Sequence, residues 1–165
     1  MVKNLSSSSS VGLGARESQF IVAKLVSFAD CFRDRFIVVA AFQSGISSSD
    51  LAAFRIGDYP LEPWMGFETV SGGVGCFRYG VSVPEACGFL AAYLEERGGK
   101  VGEPLLVGKS GAFSVKDVNR VLKGVLHKSG LDAIRGFTAK CLHRGFEWTL
   151  NYAENYSRVL EILLK

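Results

Sequence analysis

Apolar residues recur along this chain with two periods, and the switch between the periods marks its elements. From Ser18 the pattern is helical: Phe20, Ile21, Ala23, Leu25, Phe28 and Ala29 form one stripe, as expected of a helix with a single buried face. The run from Asp30 to Asp34 breaks the stripe. Arg35 to Gln43 then resumes it with so few polar residues that the pattern predicts a helix buried on most sides. Ser44-Gly45 puts a glycine where a helix C-terminus calls for left-handed backbone. Ser47, with Asp50 three residues on, predicts the cap of a further helix and an approximate capping box. Leu51, Ala52 and Phe54 give that helix its inward face, and Gly57-Asp58 is expected to end it.

Between residues 59 and 83 the reading changes to strand. Trp64 to Val70 and Gly75 to Val83 flank Ser71-Gly72-Gly73, which predicts a β-hairpin. Ser82 and Glu85 read as a second capping box, with Pro84 in the first turn of a helix running to about Arg97. Its predicted stripe is Cys87, Leu90, Ala91 and Leu94, and Gly98-Gly99 stops it. Leu105 to Val107 reads as a short strand. Ser114 caps a helix from Val115 to about Lys128, with Val118, Val121, Leu122, Val125 and Leu126 inward. Helices from Ala139 to about Tyr152 and from Tyr156 to Leu164 close the chain. The expected fold class is α+β, mainly α, with one small antiparallel sheet formed by the hairpin at about 64–83.

The chain has 165 residues with 48% hydrophobic and 21% charged content, enough for one globular domain with a sizeable core. Residues 1–16, with Ser6 to Ser10, Gly12 and Gly14, are expected to be a disordered tail, because they bury too little to offset ordering entropy. Residues 17–165 are expected to form the domain. The longest apolar runs, Phe36 to Phe42 and Val159 to Leu164, fall well short of the ~20 residues of a membrane helix. Serines stand where a signal peptide would be apolar, so the expectation is a cytoplasmic protein without a membrane partner. Cys31, Cys76, Cys87 and Cys141 include no C-x-x-C pair, and neither His127 nor His143 lies beside two of them. No metal site and no cofactor are expected, and the cysteines read as buried thiols.

The formal charge of +3 permits an anionic partner without requiring one. The charge is uneven. Lys100, Lys109, Lys116, Arg120, Lys123 and Lys128 face only Glu103 and Asp117 in that stretch. Lys116, Asn119, Arg120 and Lys123 fall at i, i+3, i+4 and i+7, one polar ridge opposite the apolar stripe. That ridge is either a solvated helix face or a phosphate-contacting one, where cations gain affinity by releasing counterions. Lys140, His143 and Arg144 are close enough in sequence to surround one phosphate, or to be a surface cluster with a half-buried histidine. Ser71-Gly-Gly-Val-Gly lacks the following helix and lysine of a phosphate loop. Ser47, Ser48 and Ser49 lack the G-x-S-x-G frame of a serine nucleophile.

Taken in order, these stretches resemble the catalytic domain of the tyrosine recombinase (phage integrase) family, in flavour its archaeal branch. "RDRFIVVAAFQSGISSSDLAAFRIGDY", residues 33–59, is similar to the family's first box, a helix followed by T/S-G-L-R-x-S-D/E-L. "ETVSGG", Glu68 to Gly73, sits where the family carries a hairpin with Lys-Thr-Gly. "VSVPEACGFLAAYLEERGGKVGEPLLVG" resembles the segment that follows. "TAKCLHRGFEWTL", Thr138 to Leu150, sits where the family has His-x-Leu-Arg-x-x-Phe. The resemblance covers roughly residues 18–165.

The resemblance implies a phosphoryl-transfer fold in which a tyrosine attacks a DNA phosphate within a preorganised positive cradle. Most of that cradle is replaced. The first arginine falls on Ser47, the hairpin lysine on Val70, the His/Lys position on Lys140 and the second arginine on His143, with Arg144 as a remnant one place later. The final His/Trp and the tyrosine would fall beyond Lys165, so the domain is expected to lack that segment. The implied protein is a degenerate recombinase with no catalytic residues. It is expected to bind duplex DNA through Lys109, Lys116, Asn119, Arg120, Lys123, Lys140 and Arg144, with a role in DNA recombination or integration. The alternatives are a module that forms a homo-oligomer or pairs with an active recombinase, or a remnant of a mobile element.

Overall fold

The computed structural model of the chain describes residues 19–43, 46–69, 78–133 and 161–165. Helical backbone at 19–27 (α1) leads through a short break into α2, Phe32–Gln43, and then α3, Ser48–Ala53. Strands β1, Gly66–Thr69, and β2, Arg78–Val81, form an antiparallel pair with Gly66 opposite Val81 and Thr69 opposite Arg78. Next come α4, Pro84–Arg97, the two-residue strands β3, Val107–Gly108, and β4, Gly111–Ala112, and α5, Val115–Ser129. A 3₁₀ turn at Leu131–Ala133 follows, and residues 161–163 are helical. This is the mainly helical α+β class expected, with two small hairpins rather than one sheet.

The centre is α2. Phe36 to Phe42 are all buried, so the helix is enclosed rather than amphipathic, as its unbroken apolar run implies. It packs against α4 and α5, and α3 packs against α5. Four rings join α2 to the hairpin: Phe36 meets Tyr59 edge-on at 5.1 Å, Tyr59 meets Phe67 at 4.8 Å, and Phe54 meets Phe67 at 6.1 Å. Such ring pairs add about 0.5–1.5 kcal/mol each beyond their burial. Phe67 lies so close over Gly80 that a Cβ there would stand 2.3 Å from the ring. The strand pair therefore needs glycine at that position.

Several boundaries differ from the sequence expectation for identifiable reasons. The helix α2 begins at Phe32, not Arg35. Arg33 is held there by donating to the Val107 carbonyl at 3.0 Å and to Asp34 at 2.8 Å, with its guanidinium 4.4 Å over the Phe113 ring. The helix α3 stops at Ala53 rather than Gly57, because Phe54 O and Ile56 N–H are taken by Leu105 and Glu103. The second capping box does not form. The N-cap of α4 is Val83, with no side-chain bond. The Ser82 hydroxyl instead donates to Glu62 O at 2.7 Å and accepts from Met65 N–H at 3.0 Å. On α4 the inward residues are Ala86, Cys87, Leu90 and Tyr93, while Ala91 is exposed. The hairpin turn at 71–73, the cap at Ser44-Gly45, the tail at 1–16 and the helix from Ala139 lie outside the described residues. Among the described residues no helix is long and apolar enough to cross a membrane.

Candidate nucleic-acid interface

The basic face stands on α5, and the sequence of that helix explains why. Ser114 is the N-cap: its hydroxyl accepts from Asp117 N–H at 3.3 Å, and the Asp117 carboxylate accepts from Ser114 N–H at 2.9 Å. This reciprocal box satisfies two helix-end donors. It also holds the Asp117 carboxyl below its ordinary value, chiefly through the Ser114 backbone N–H, then the Ser114 hydroxyl and the Arg120 charge. Gly130 ends the helix in left-handed backbone at φ 81°, the geometry that favours glycine. Val118, Leu122, Val125 and Leu126 are buried between these ends, which fixes the rotation of the helix and turns its other side outward.

On that outer side Lys116, Arg120 and Lys123 are exposed. Steps of four and three residues place them within one narrow stripe about 10 Å long. Arg120, with 77% of its side chain exposed, donates to Asp117 at 3.0 Å, a surface pair of small energetic weight. Lys116 and Lys123 have no ion pair among the described residues. His127 extends the stripe by another turn. It is 83% exposed, with Nδ1 2.7 Å from the Asp132 carboxylate. Its signal was the spacing Lys116, Arg120, Lys123, His127, which continues the i, i+4, i+7 series to i+11. Lys109 is exposed at the tip of the β3–β4 hairpin, just before α5.

Asn119 does not belong to this face. Its side-chain oxygen accepts a 2.6 Å bond from the Ser48 hydroxyl, so it is a link between α5 and α3. The other edge of the stripe meets a cleft of about 170 Å³ lined by Asp30, Asp34, Arg120 and Lys128 among others. Lys128 is tied there to Asp30 at 2.6 Å. Among the described residues of this face, the cations without an ion pair are therefore Lys109, Lys116 and Lys123, with Arg120 shared between the stripe and the cleft.

Ser47 sits at the N-terminus of α3, and its hydroxyl is engaged locally. It accepts from Asp50 N–H at 3.2 Å and donates to the Asp50 carboxylate at 2.8 Å, as the sequence predicted. Asp50 is buried. The Ser48–Asn119 bond anchors the same turn to α5. Val70, Lys140, His143 and Arg144 lie outside the described residues. Among those described, no group of three or more His, Cys, Asp or Glu could hold a metal ion. Cys87 is buried, and burial pushes its thiol up from the ordinary value.

Comparison with solved structures shows the fold. The chain is similar to the structure titled "Crystal structure of XerA recombinase", with a TM-score of 0.63 and 18% sequence identity over 86% of this chain and 57% of that one. The chain thus spans less than two thirds of that protein's length. No protein-family model and no curated protein sequence matches it. The recombinase-like fold read from the order of motifs is the fold observed.

Proposed function

We propose that this chain is a recombinase-fold protein that binds duplex DNA without cutting it. The observation that carries the reading is the stripe of exposed cations on α5, Lys116, Arg120 and Lys123, two of them without ion pairs among the described residues. Cations so placed gain affinity by displacing counterions from a phosphate backbone, with little dependence on base sequence. Lys109 lies just before the same helix and would add a contact, and Lys140 and Arg144 are further candidates. Such binding needs no cofactor. On a recombinase-like fold it suits a protein that occupies recombination sites or regulates an active relative.

Loss of strand cleavage belongs to the same reading. The resemblance puts the family's first arginine at Ser47, whose hydroxyl is committed to the α3 cap. A short neutral side chain cannot replace a guanidinium, and removing one transition-state donor commonly costs ~10²–10³ in rate.

The test is binding to a labelled duplex across a salt series. With about four phosphates neutralised, the slope of log K against log[salt] should be roughly −4, and a Lys116→Ala/Arg120→Ala/Lys123→Ala variant should bring it to about −1. The same duplex, quenched in denaturant, should yield no covalent protein–DNA adduct. Equal binding by the variant, or no binding at low salt, would remove the DNA reading, and an adduct would remove the inactive one.

A further inference from the structure

We infer that the loop entering the first hairpin is a docking site for a protein partner that presents an apolar segment edged with lysine or arginine. The loop Leu61 to Gly66 is exposed throughout. Trp64 is 71% exposed, Leu61 51% and Met65 49%, and Val81, 52% exposed, stands on the neighbouring strand opposite Gly66. These apolar groups sit together at the hairpin base, where Trp64 N–H donates to Ser82 O at 2.9 Å and Ser82 N–H to Met65 O at 2.8 Å. Two residues thus oppose one, a bulge of the kind that re-aims side chains.

Trp64 carries a second anomaly. It is the one non-glycine residue at positive φ (64°) among the described residues. The first position of such a bulge favours glycine, and a bulky side chain there is strained. The indole gains no compensating burial, and it stacks on no other ring among the described residues. A strained backbone that projects an exposed tryptophan is the form of an anchor awaiting its pocket.

Charge selects the occupant. From Gly57 to Thr69 the chain has Asp58, Glu62 and Glu68 and no Lys or Arg, and Glu85 stands in the first turn of α4 just after β2. The basic residues that bound this stretch are Arg78, paired with Thr69 at the far end of the strands from Val81, and Arg97, at the far end of α4. Glu62, Glu68 and Glu85 are exposed around the patch. That rim repels a phosphate backbone. It also disfavours a second copy of the same patch, because a two-fold interface would set like charges against each other. A basic-edged apolar segment is complementary to both features.

The probe is a fluorescein-labelled peptide of alternating leucine and lysine, titrated against the full chain by anisotropy, with an alternating leucine–glutamate peptide alongside. Trp64→Gly suits the left-handed backbone, so it tests the side chain without threatening the fold. The expected result is micromolar binding of the lysine peptide, weakened at least tenfold by Trp64→Gly, and no binding of the glutamate peptide. Glu62→Lys/Glu85→Lys should reverse the preference. Equal binding by Trp64→Gly, binding of both peptides, or binding of neither would overturn the inference. So would a Trp64-dependent dimer in sedimentation, which would assign the patch to a second copy. Trp64-dependent DNA binding would likewise assign it to nucleic acid. The lysine-peptide arm is independent of the α5 face, so either reading can fail alone.

Discussion

At the scale of single residues, the Ser47 hydroxyl acts as a helix cap. Ser47 exchanges two hydrogen bonds with Asp50, a box closed within three residues of chain. Ser47→Ala should cost about 1 kcal/mol of stability, the usual worth of such a cap, read as a lowered urea midpoint. Ser47→Arg should destabilise by a similar amount, because it too removes the hydroxyl, and should produce no covalent DNA adduct. A stable, adduct-forming Ser47→Arg protein would show that only the guanidinium was missing. The caps at Ser47 and Ser114 were legible in the sequence because donor and acceptor lie three residues apart. Ser82 read identically and behaves differently. Its hydroxyl serves Glu62 and Met65 across the hairpin base, a tertiary bond that the local pattern does not contain. Asn119 was misplaced on the basic ridge for the same reason, since its partner Ser48 is 71 residues away.

At the scale of elements, periodicity found the helices that lie among the described residues, and distant contacts set their ends. The apolar stripe of α5 was legible and fixes which side faces out. The start of α2 was not, because Arg33 is held by a carbonyl 74 residues away. Of the β3–β4 hairpin, the strand read at Leu105 to Val107 overlaps β3 at Val107 only, and β4 escaped because a two-residue strand is too short for an alternating pattern. Within α5, Asp117 both caps the helix and offsets one ridge cation through its 3.0 Å bond with Arg120. Its carboxyl is lowered in the folded chain, first by the Ser114 backbone N–H. The stability it supplies is therefore complete above the ordinary carboxylate range and is lost as pH falls below about 4. Asp117→Asn keeps an acceptor for Ser114 N–H but cannot ionise, so its thermal midpoint should change less between pH 5 and pH 2 than that of the parent. The same substitution removes a carboxylate beside Arg120 and should tighten DNA binding at low salt, with the salt slope little changed because Arg120 already counts among the four phosphate contacts. Weaker binding would mean that the carboxylate helps to position Arg120 for the phosphate.

At the scale of the whole molecule, the residues that hold the fold and the residues proposed to bind DNA occupy opposite sides of one helix. Leu122 is fully buried and Val118, Val125 and Leu126 lie with it in the core, whereas Lys116, Arg120 and Lys123 project outward and bury nothing in it. The two sets should therefore separate in measurement. Leu122→Ala should lower stability by about 2–5 kcal/mol, the range for emptying a close-packed leucine site, and should leave the salt slope of the folded fraction unchanged. The Lys116→Ala/Arg120→Ala/Lys123→Ala variant should do the reverse: its unfolding free energy from urea titration should change by no more than about 0.5 kcal/mol per surface change, since exposed substitutions rarely cost more, while its salt slope collapses. A triple variant that unfolds along with losing DNA would mean that the ridge is part of the scaffold, and the exposed cations would then say nothing about a phosphate partner. A triple variant that stays folded and loses only the salt-dependent term would make α5 a phosphate-contacting helix carried on a recombinase-like core.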